Sequence, residues 1–366
     1  FIVRAALPGR RSPILYKVAT FTRHAYNLAG ASGRDGGSSL YQHPVYLGPG
    51  APGKPRGHKV SMRRPAGDSH YSLWDLPFVA WLERNGYPVE FCSDLDLHED
   101  PALPGAYRLL LSAGHDEYWS EPMRSGVERF VAAGGNAAFF SGNVCWWRVH
   151  PVDANTALAC DTDHAASADA HHFPATDQWW VPEPEGAGQP ENTLTGVSFR
   201  NAGEWAGWFE PGERPHLGFR LQHTDHWVFA GTGLRGAEGG RPDVLGAGTD
   251  LVGYECDGAT YQAAANGVAI ADGRGGTPPP FVILGVAVLA PRREDYYDES
   301  PGAWRCPPRE PGAASPPAAT MGVHTMPGGG TVFTAATTNW PVVVGTGADP
   351  AVERITRNVL DTLTRR

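Results

Sequence analysis

The chain has 366 residues, with 30 Lys and Arg against 39 Asp and Glu and a formal net charge of −9. Its basic residues form no run, so the composition argues against nucleic acid and anionic membrane surfaces as partners. No apolar run approaches the roughly 18 residues that would span a bilayer.

The cysteines, the length and the first residue of the sequence each limit what kind of protein this is. The five cysteines are widely spaced and include no C-x-x-C pair, so a full disulfide framework is not expected. At this length the chain can hold two domains, or one large α/β domain with an insertion. The sequence begins at Phe1 rather than at a methionine, so we expect a trimmed or partial chain. That start leaves the compartment unknown, with the cytoplasm favoured.

The first 150 residues alternate strand and helix patterns. The apolar run Ile14–Val18 predicts a first strand, and Asp75 can cap a helix that has Pro77 in its first turn. Residues 88–92 read as the next strand. This order of elements favours an α/β fold.

Residues 106–150 carry the clearest pattern, which is strand, polar turn, helix, strand, polar turn. The apolar run Leu109–Leu111 predicts a strand buried on both faces, and Ser120 can cap the following helix. The two strands of such a βαβ unit are parallel, and ligands bind at the carboxyl ends of parallel strands. The polar clusters His115–Trp119 and Asn143–Trp147 should therefore line one edge of the sheet.

Beyond residue 150 the apolar runs become short and β-like, with Gly and Pro between them. The chain closes with a strand and with a helix that has Asp349 at its N-cap. We therefore predict that residues 1–150 and 330–366 form one α/β core. Residues 151–329 are predicted to form a β-rich insertion packed over the carboxyl edge of that core.

The turn after the first strand of the βαβ unit holds four adjacent side chains that titrate or bind metals: His115, Asp116, Glu117 and Tyr118. A helix-capping turn would account for Ser120 and one carboxylate, but not for the histidine and the tyrosine as well. We therefore predict a functional site here. His115 and Glu117 should face a solvent-accessible cleft that they share with Asn143.

The turn after the second strand offers a cysteine and an asparagine. Cys145 suggests a nucleophile, but thiol catalysis needs a paired base, and the sequence indicates none. Asn143 stands closest to the strand-to-helix elbow, where an amide can donate a hydrogen bond to an oxyanion but cannot attack a carbonyl. A buried thiol is therefore the favoured interpretation of Cys145.

Three further stretches carry polar side chains whose role the sequence leaves open. Residues 160–172 contain metal-ligand residue types without a recognised spacing, so a solvated loop is favoured. Glu255 lies beside a short apolar run and belongs either to a structural ion pair or to the site. Glu191 precedes a strand, where a surface carboxylate is the alternative to a functional one.

Several stretches together carry a family resemblance: TFTRHAYN with GGSSLY, LPFVAWLERNGYPVEFCSDLDLH, LLLSAGHDEYWS, FFSGNVCWWRV, PENTLTGVSF, HWVFAGTGL with GYECD, and GGGTVFTAATTNW with ITRNVL. On these residues the chain resembles the C-terminal domain of the N,N-dimethylformamidase large (beta) subunit family, over nearly all of its length. The resemblance implies a flavodoxin-like parallel sheet like that of class I glutamine amidotransferases, with an inserted β-rich segment and without the usual cysteine nucleophile.

The resemblance also implies hydrolysis of a small tertiary amide at a single iron held by two tyrosines and a glutamate. Tyr118 matches the motif that looks like the source of one tyrosine. Leu76 stands where family members often have the other, and Tyr71 and Tyr26 are the nearest substitutes. For the carboxylate, Glu191 is the first choice, followed by Glu204 and Glu255.

The first functional hypothesis is therefore a hydrolase of the C–N bond of a small amide, with iron as cofactor. His115 or Glu117 would relay the proton, and Asn143 would stabilise the oxyanion. Substrate contacts are assigned to Tyr26, Asn27, Trp119 and Trp147.

Two other hypotheses remain from the residues alone. One is a non-catalytic module whose tryptophans stack on a ligand: Trp119, Trp146, Trp147, Trp179 and Trp180. The other is a metal-free hydrolase with His115 as base. The expected partners are a small amide and either a second copy of the chain or a small partner subunit, which the resemblance implies together with a further N-terminal portion.

Overall fold

The computed structural model describes residues 2–27, 39–40, 59–63, 70–161, 176–204, 217–289 and 312–365. Most of the GGSSLY stretch, and His164, His171 and His172 of the predicted loop, lie outside these ranges, as does the side chain of Glu204. Within the described part of the chain, no helix is both long enough and apolar enough to cross a bilayer.

The described residues form seven α-helices: α1 (Thr20–Tyr26), α2 (Leu76–Arg84), α3 (Asp94–Glu99), α4 (Glu121–Ala132), α5 (Asn192–Thr195), α6 (Trp340–Thr346) and α7 (Pro350–Leu363). A π-helical turn, Tyr71–Asp75, leads directly into α2. Short 3-10 helices also occur, among them Trp227–Phe229.

The strands of the described residues are β1 (Ile14–Val18), β2 (Lys59–Ser61), β3 (Glu90–Ser93), β4 (Leu109–His115), β5 (Tyr118–Trp119), β6 (Asn136–Gly142), β7 (Trp147–Arg148), β8 (His150–Val152), β9 (Ala157–Ala159), β10 (Ser198–Glu204), β11 (Phe219–Leu221), β12 (Val244–Leu245), β13 (Glu255–Gly258), β14 (Tyr261–Ala263), β15 (Ala269–Ala271), β16 (Val282–Val288), β17 (Ala318–Thr325) and β18 (Thr331–Thr334).

One large sheet organises the chain, with strand order β12-β11-β16-β17-β18-β6-β4-β1-β3. The half from β18 to β3 is parallel, and the half from β12 to β17 is joined by antiparallel pairs. The predicted βαβ unit is confirmed, because β4 and β6 are parallel neighbours in which His115 pairs with Gly142. Both polar turns therefore leave the sheet at the same edge.

The sheet runs without interruption through the predicted domain boundary. Strands β11, β12, β16 and β17 come from the segment predicted as an insertion, yet β17 is hydrogen bonded to β18 of the predicted core. Helix α7 is likewise bonded to both parts, since Asn136 donates to its last turn and Asn358 donates to the carbonyl of Val228. The sheet is therefore mixed, while the division into two units and the amidotransferase-like fold class stay predictions.

Helix α7 closes one face of the parallel half. Asp349 accepts hydrogen bonds from the N–H groups of Ala351 and Val352, so the predicted N-cap is confirmed. The helix also buries the apolar side chains that recur along one of its faces: Val352, Ile355, Val359, Leu360 and Leu363. Each such side chain contributes about 1.5–3 kcal/mol on burial, which ties the end of the chain to the sheet.

The predicted capping role of Asp75 is wrong. Its carboxyl group makes no cap hydrogen bond to α2 and instead accepts one from the hydroxyl of Tyr16 on β1, at 3.0 Å. Because the backbone runs from a π-helical turn straight into α2, the N–H groups of the first turn already face carbonyls and leave the side chain free to enter the core. Burial raises the pKa of Asp75 to about 7, against the opposing effects of Tyr16 and Arg23.

We expect Asp75→Asn to be more stable than the wild type at neutral pH. A carboxyl group whose pKa rises from 3.8 to about 7 on folding costs the folded state stability as the pH rises through that window. The variant's advantage should grow from pH 4 to pH 7 and then level off at up to about 4 kcal/mol. Denaturant unfolding at each pH measures it, with the exposed Asp153→Asn as a control that should show no such trend. An advantage independent of pH would contradict the titration.

Candidate functional site

A buried lysine fixes the turn that follows β4. The Lys17 ammonium group lies 2.5 Å from Asp94 Oδ1 and 2.6 Å from Asp116 Oδ1, and all three side chains are fully buried. Asp116 Oδ2 also accepts a hydrogen bond from Ser112, and the indole N–H of Trp119 donates to Asp116 Oδ1. The Asp116 side chain is held on the Lys17 side of the turn. The side chains of its two sequence neighbours therefore project to the opposite side.

Removing the Lys17 charge should destabilise the fold strongly. Lys17→Met leaves two buried carboxylates without their cation, and we expect a loss of about 3–5 kcal/mol in the free energy of unfolding. The matched control is Lys59→Met, since the Lys59 pair with Asp153 is about half exposed and should cost less than about 1 kcal/mol. Equal losses in urea unfolding would argue against the network.

The neighbours of Asp116 are His115 and Glu117, and strand β13 brings Glu255 to them. His115 Nε2 lies 2.5 Å from Glu255 Oε2 and 3.2 Å from Glu117 Oε2. The three side chains place their ligand atoms within 4.8 Å of one another. Neither ring nitrogen of His115 makes a well-directed hydrogen bond, so the contacts are close but electrostatic. This arrangement can hold a cation or share a proton.

Glycine at the end of β6 allows Glu255 to come so close. A Cβ atom on Gly142 would lie 2.5 Å from the carbonyl oxygen of Glu255. That carbonyl accepts a hydrogen bond from the N–H of Thr338, just after β18, and the N–H of Glu255 donates to the Thr338 hydroxyl. Strand β13 is thereby fixed across the carboxyl ends of β18 and β6.

One proton is shared within this cluster. Burial alone would lower the pKa of His115, but the carboxylates of Glu255 and Glu117 raise it to about 10. Burial raises the pKa of Glu255, while His115 opposes that shift. Because burial favours a proton on Glu255 while the charge of Glu255 favours a proton on His115, the two groups compete for one proton and the pair titrates as a unit.

The elbow after β6 carries Asn143 and Cys145, both in the left-handed region, with φ of 48° and 58°. Asn143 Nδ2 donates to Glu255 Oε2 at 3.2 Å, and the N–H of Val144 donates to the carboxyl group of Asp257 at 3.3 Å. One N–H of the Asn143 amide and the N–H of Val144 are therefore already engaged. Burial raises the pKa of the Cys145 thiol, which disfavours a nucleophilic thiolate.

Helix α1 delivers Tyr26 to the site. The Tyr26 hydroxyl donates to Glu117 Oε2 at 2.7 Å. On the same helix, the Thr22 hydroxyl accepts hydrogen bonds from the N–H groups of Glu117 and Tyr118, which locks the turn against α1. Asn27 follows α1 directly and is buried. Of the side chains assigned to substrate, Tyr26 thus reaches the acidic cluster.

Aromatic rings that the sequence did not single out enclose His115. The rings of His70, Trp74 and Tyr254 lie 5.4, 5.7 and 6.0 Å from its imidazole. Gly114 has a φ of 77°, and a Cβ there would lie 2.4 Å from Trp74, so glycine makes room for the tryptophan. His70 lies directly before the π-helical turn and Trp74 lies within it. Such a turn often marks functional sites, but hydrophobic periodicity does not reveal it.

The remaining predicted site residues have other surroundings. Trp119 packs under the ammonium group of Lys17, and Trp147 lies in a buried cluster with the ring of Tyr118. Glu191 is buried at the start of α5, where Ser198 donates to it and burial raises its pKa. The structure does not bring Glu191 into the His115 cluster, and the acidic partner there is Glu255.

The cluster is also more enclosed than expected. His115, Glu117, Asn143 and Glu255 are each at most 5% exposed. The solvent-accessible cleft predicted for them is therefore not present among the described residues. Rings from α1 and from the π-helical turn cover the sheet edge, and water is largely excluded from the charged groups.

A family match and two individual relatives of this chain carry the same description. A family described as "N,N-dimethylformamidase beta subunit-like, C-terminal" matches residues 1–350. The N,N-dimethylformamidase beta subunits of Alcaligenes sp and Paracoccus aminophilus are each 30% identical over 87 residues. The matched segment covers 22% of this chain and 11% of each of those proteins, so the likeness spans a small part of their length.

Proposed function

Because the chain belongs to the N,N-dimethylformamidase beta subunit-like, C-terminal family, we propose that it hydrolyses the C–N bond of a small amide. The observation that carries the proposal is the buried convergence of His115, Glu117 and Glu255 within 4.8 Å. Amide hydrolysis needs a base for the attacking water and an acid for the leaving nitrogen. An imidazole between two carboxylates supplies both.

The His115–Glu255 contact defines the path of the proton. Glu255 Oε2 removes a proton from the attacking water, and the protonated imidazole of His115 gives its own proton to the amide nitrogen as the C–N bond breaks. The proton on Glu255 then returns to His115 Nε2, 2.5 Å away. Asn143 Nδ2 donates to the same carboxylate and keeps it oriented. The surrounding rings exclude bulk water, which strengthens each of these interactions.

The iron ion that the family resemblance implies fits the described side chains. Two carboxylates converge at one buried point and need a positive charge, which His115 supplies only when it is protonated. Glu117 and Tyr26, whose oxygens lie 2.7 Å apart, are oxygen donors of the kind that a hard cation prefers, and they would hold the ion. When bound, the ion would polarise the amide carbonyl and acidify a bound water.

The relatives' names suggest assembly as well. Both are beta subunits, so we propose that the chain acts together with a partner subunit of another type. No observation favours the ligand-stacking module, because Trp119, Trp146, Trp147 and Trp179 are each buried in the core.

We expect Glu255→Gln to lower kcat for amide hydrolysis by about 10²–10⁴-fold, since it removes the base while keeping the shape of the side chain. Amine release from a panel of N,N-dialkyl and primary amides measures the rate. The control is Glu238→Gln, at an exposed carboxylate paired with His223, which should keep full activity. A wild type that cleaves no amide in the panel refutes the function, and an active Glu255→Gln refutes the assigned base.

The proposed metal ligands are tested by the iron content of the protein rather than by its rate of amide hydrolysis. After anaerobic loading with ferrous iron, Glu117→Gln and Tyr26→Phe should bind less than one tenth of the iron of the wild type. Glu191→Gln and Tyr118→Phe should keep it, although the sequence alone predicts loss in those two variants. Elemental analysis decides, and iron lost in Tyr118→Phe but kept in Tyr26→Phe would restore the sequence assignment.

A further inference from the structure

Besides the proposed ion, a hydrogen-bond donor would stabilise the amide oxygen in the proposed reaction. Attack of water turns the carbonyl oxygen into an oxyanion, and enzymes stabilise it with a preorganised N–H or O–H group. At the elbow, one N–H of Asn143 donates to Glu255 and the N–H of Val144 donates to Asp257. The Tyr26 hydroxyl donates to Glu117, and the indole N–H of Trp74 donates to Asn339.

His70 is a member of this enclosure with unused hydrogen-bonding capacity among the described residues. Its ring lies 4.9 Å from that of Tyr26, 5.0 Å from that of Trp74 and 5.4 Å from that of His115. Its Nδ1 atom is buried and has no hydrogen-bond partner within the described part of the chain. A buried polar atom without a partner destabilises the folded state, so a substrate oxygen that bonds to it recovers that cost.

We propose that His70 is a further catalytic residue, whose Nδ1–H donates to the carbonyl oxygen of the amide and stabilises the oxyanion. The inference deepens the proposed function and rests on it. The role needs a proton on Nδ1, which both the Nδ1–H tautomer and the protonated ring carry.

Replacement by phenylalanine separates donation from packing. His70→Phe keeps a ring between Tyr26 and Trp74 but removes the N–H, and kcat should fall about 10²–10³-fold with KM changed less than threefold. His70→Asn, which keeps a side-chain N–H, should recover at least one tenth of the wild-type kcat. The control is His226→Phe, because the His226 ring also packs on a tryptophan, Trp227, at 5.2 Å, and lies outside the site.

Vibrational spectroscopy tests the proposed hydrogen bond from His70 to the amide carbonyl without catalytic turnover. In a Glu255→Gln background, a ¹³C-carbonyl-labelled N,N-dialkyl amide should show a carbonyl stretching frequency lowered on binding. Adding His70→Phe should return that frequency towards its value in water. The full chain is used throughout, and circular dichroism with thermal unfolding checks that each variant is folded.

The outcomes separate the two proposals. A wild-type kcat in His70→Phe, or a carbonyl shift that survives it, overturns the role of His70 even if the chain is an amidase. An absence of amide binding in Glu255→Gln overturns it as well. A His70-dependent shift in a chain that hydrolyses no amide supports the carbonyl contact and refutes the hydrolase.

Discussion

The ion pairs of Lys17 are the constraint on which the site depends. A fully buried ammonium group is tolerated only with close anionic partners, and Asp94 and Asp116 lie 2.5 and 2.6 Å from it. The first partner opens α3 and accepts a hydrogen bond from the N–H of Phe21 on α1, while the second lies between His115 and Glu117. One charge therefore sets the position of β1, the start of the helix that carries Tyr26 and the direction of the turn that carries His115 and Glu117.

Around that anchor, the site is assembled from segments far apart in the chain. Strand β4 contributes His115, α1 contributes Tyr26 and β13 contributes Glu255, which reaches the others because Gly142 leaves space for its backbone. None of these contacts is a local one. Burial then turns an ordinary set of side chains into a reactive one, because an imidazole and two carboxylates without water interact far more strongly than they would at the surface.

The same enclosure explains why the elbow after β6 carries no nucleophile. Its left-handed backbone is held by Asp257, which accepts the N–H of Val144, and by the bond from Asn143 to Glu255. These two carboxylates accept hydrogen bonds from N–H groups that would otherwise be available to a ligand. The thiol of Cys145 is buried among apolar side chains. The candidate reactive groups therefore lie at the end of the neighbouring strand, β4.

Local pattern in the sequence determined the elements and the edge of the sheet at which the candidate site lies. The apolar run of β4, the periodicity of α4 and the cap at Asp349 each depend on neighbours within a few residues, and parallel pairing then brings His115 and Asn143 to one edge. Only the tertiary structure decided which remote residues meet them. Glu255 rather than Glu191 completes the acidic cluster, and His70 and Trp74 close over it, because packing across the sheet edge selects among segments that the sequence leaves equivalent. The mixed sheet has the same origin, since the sequence of β17 shows no pattern that tells one partner strand from another.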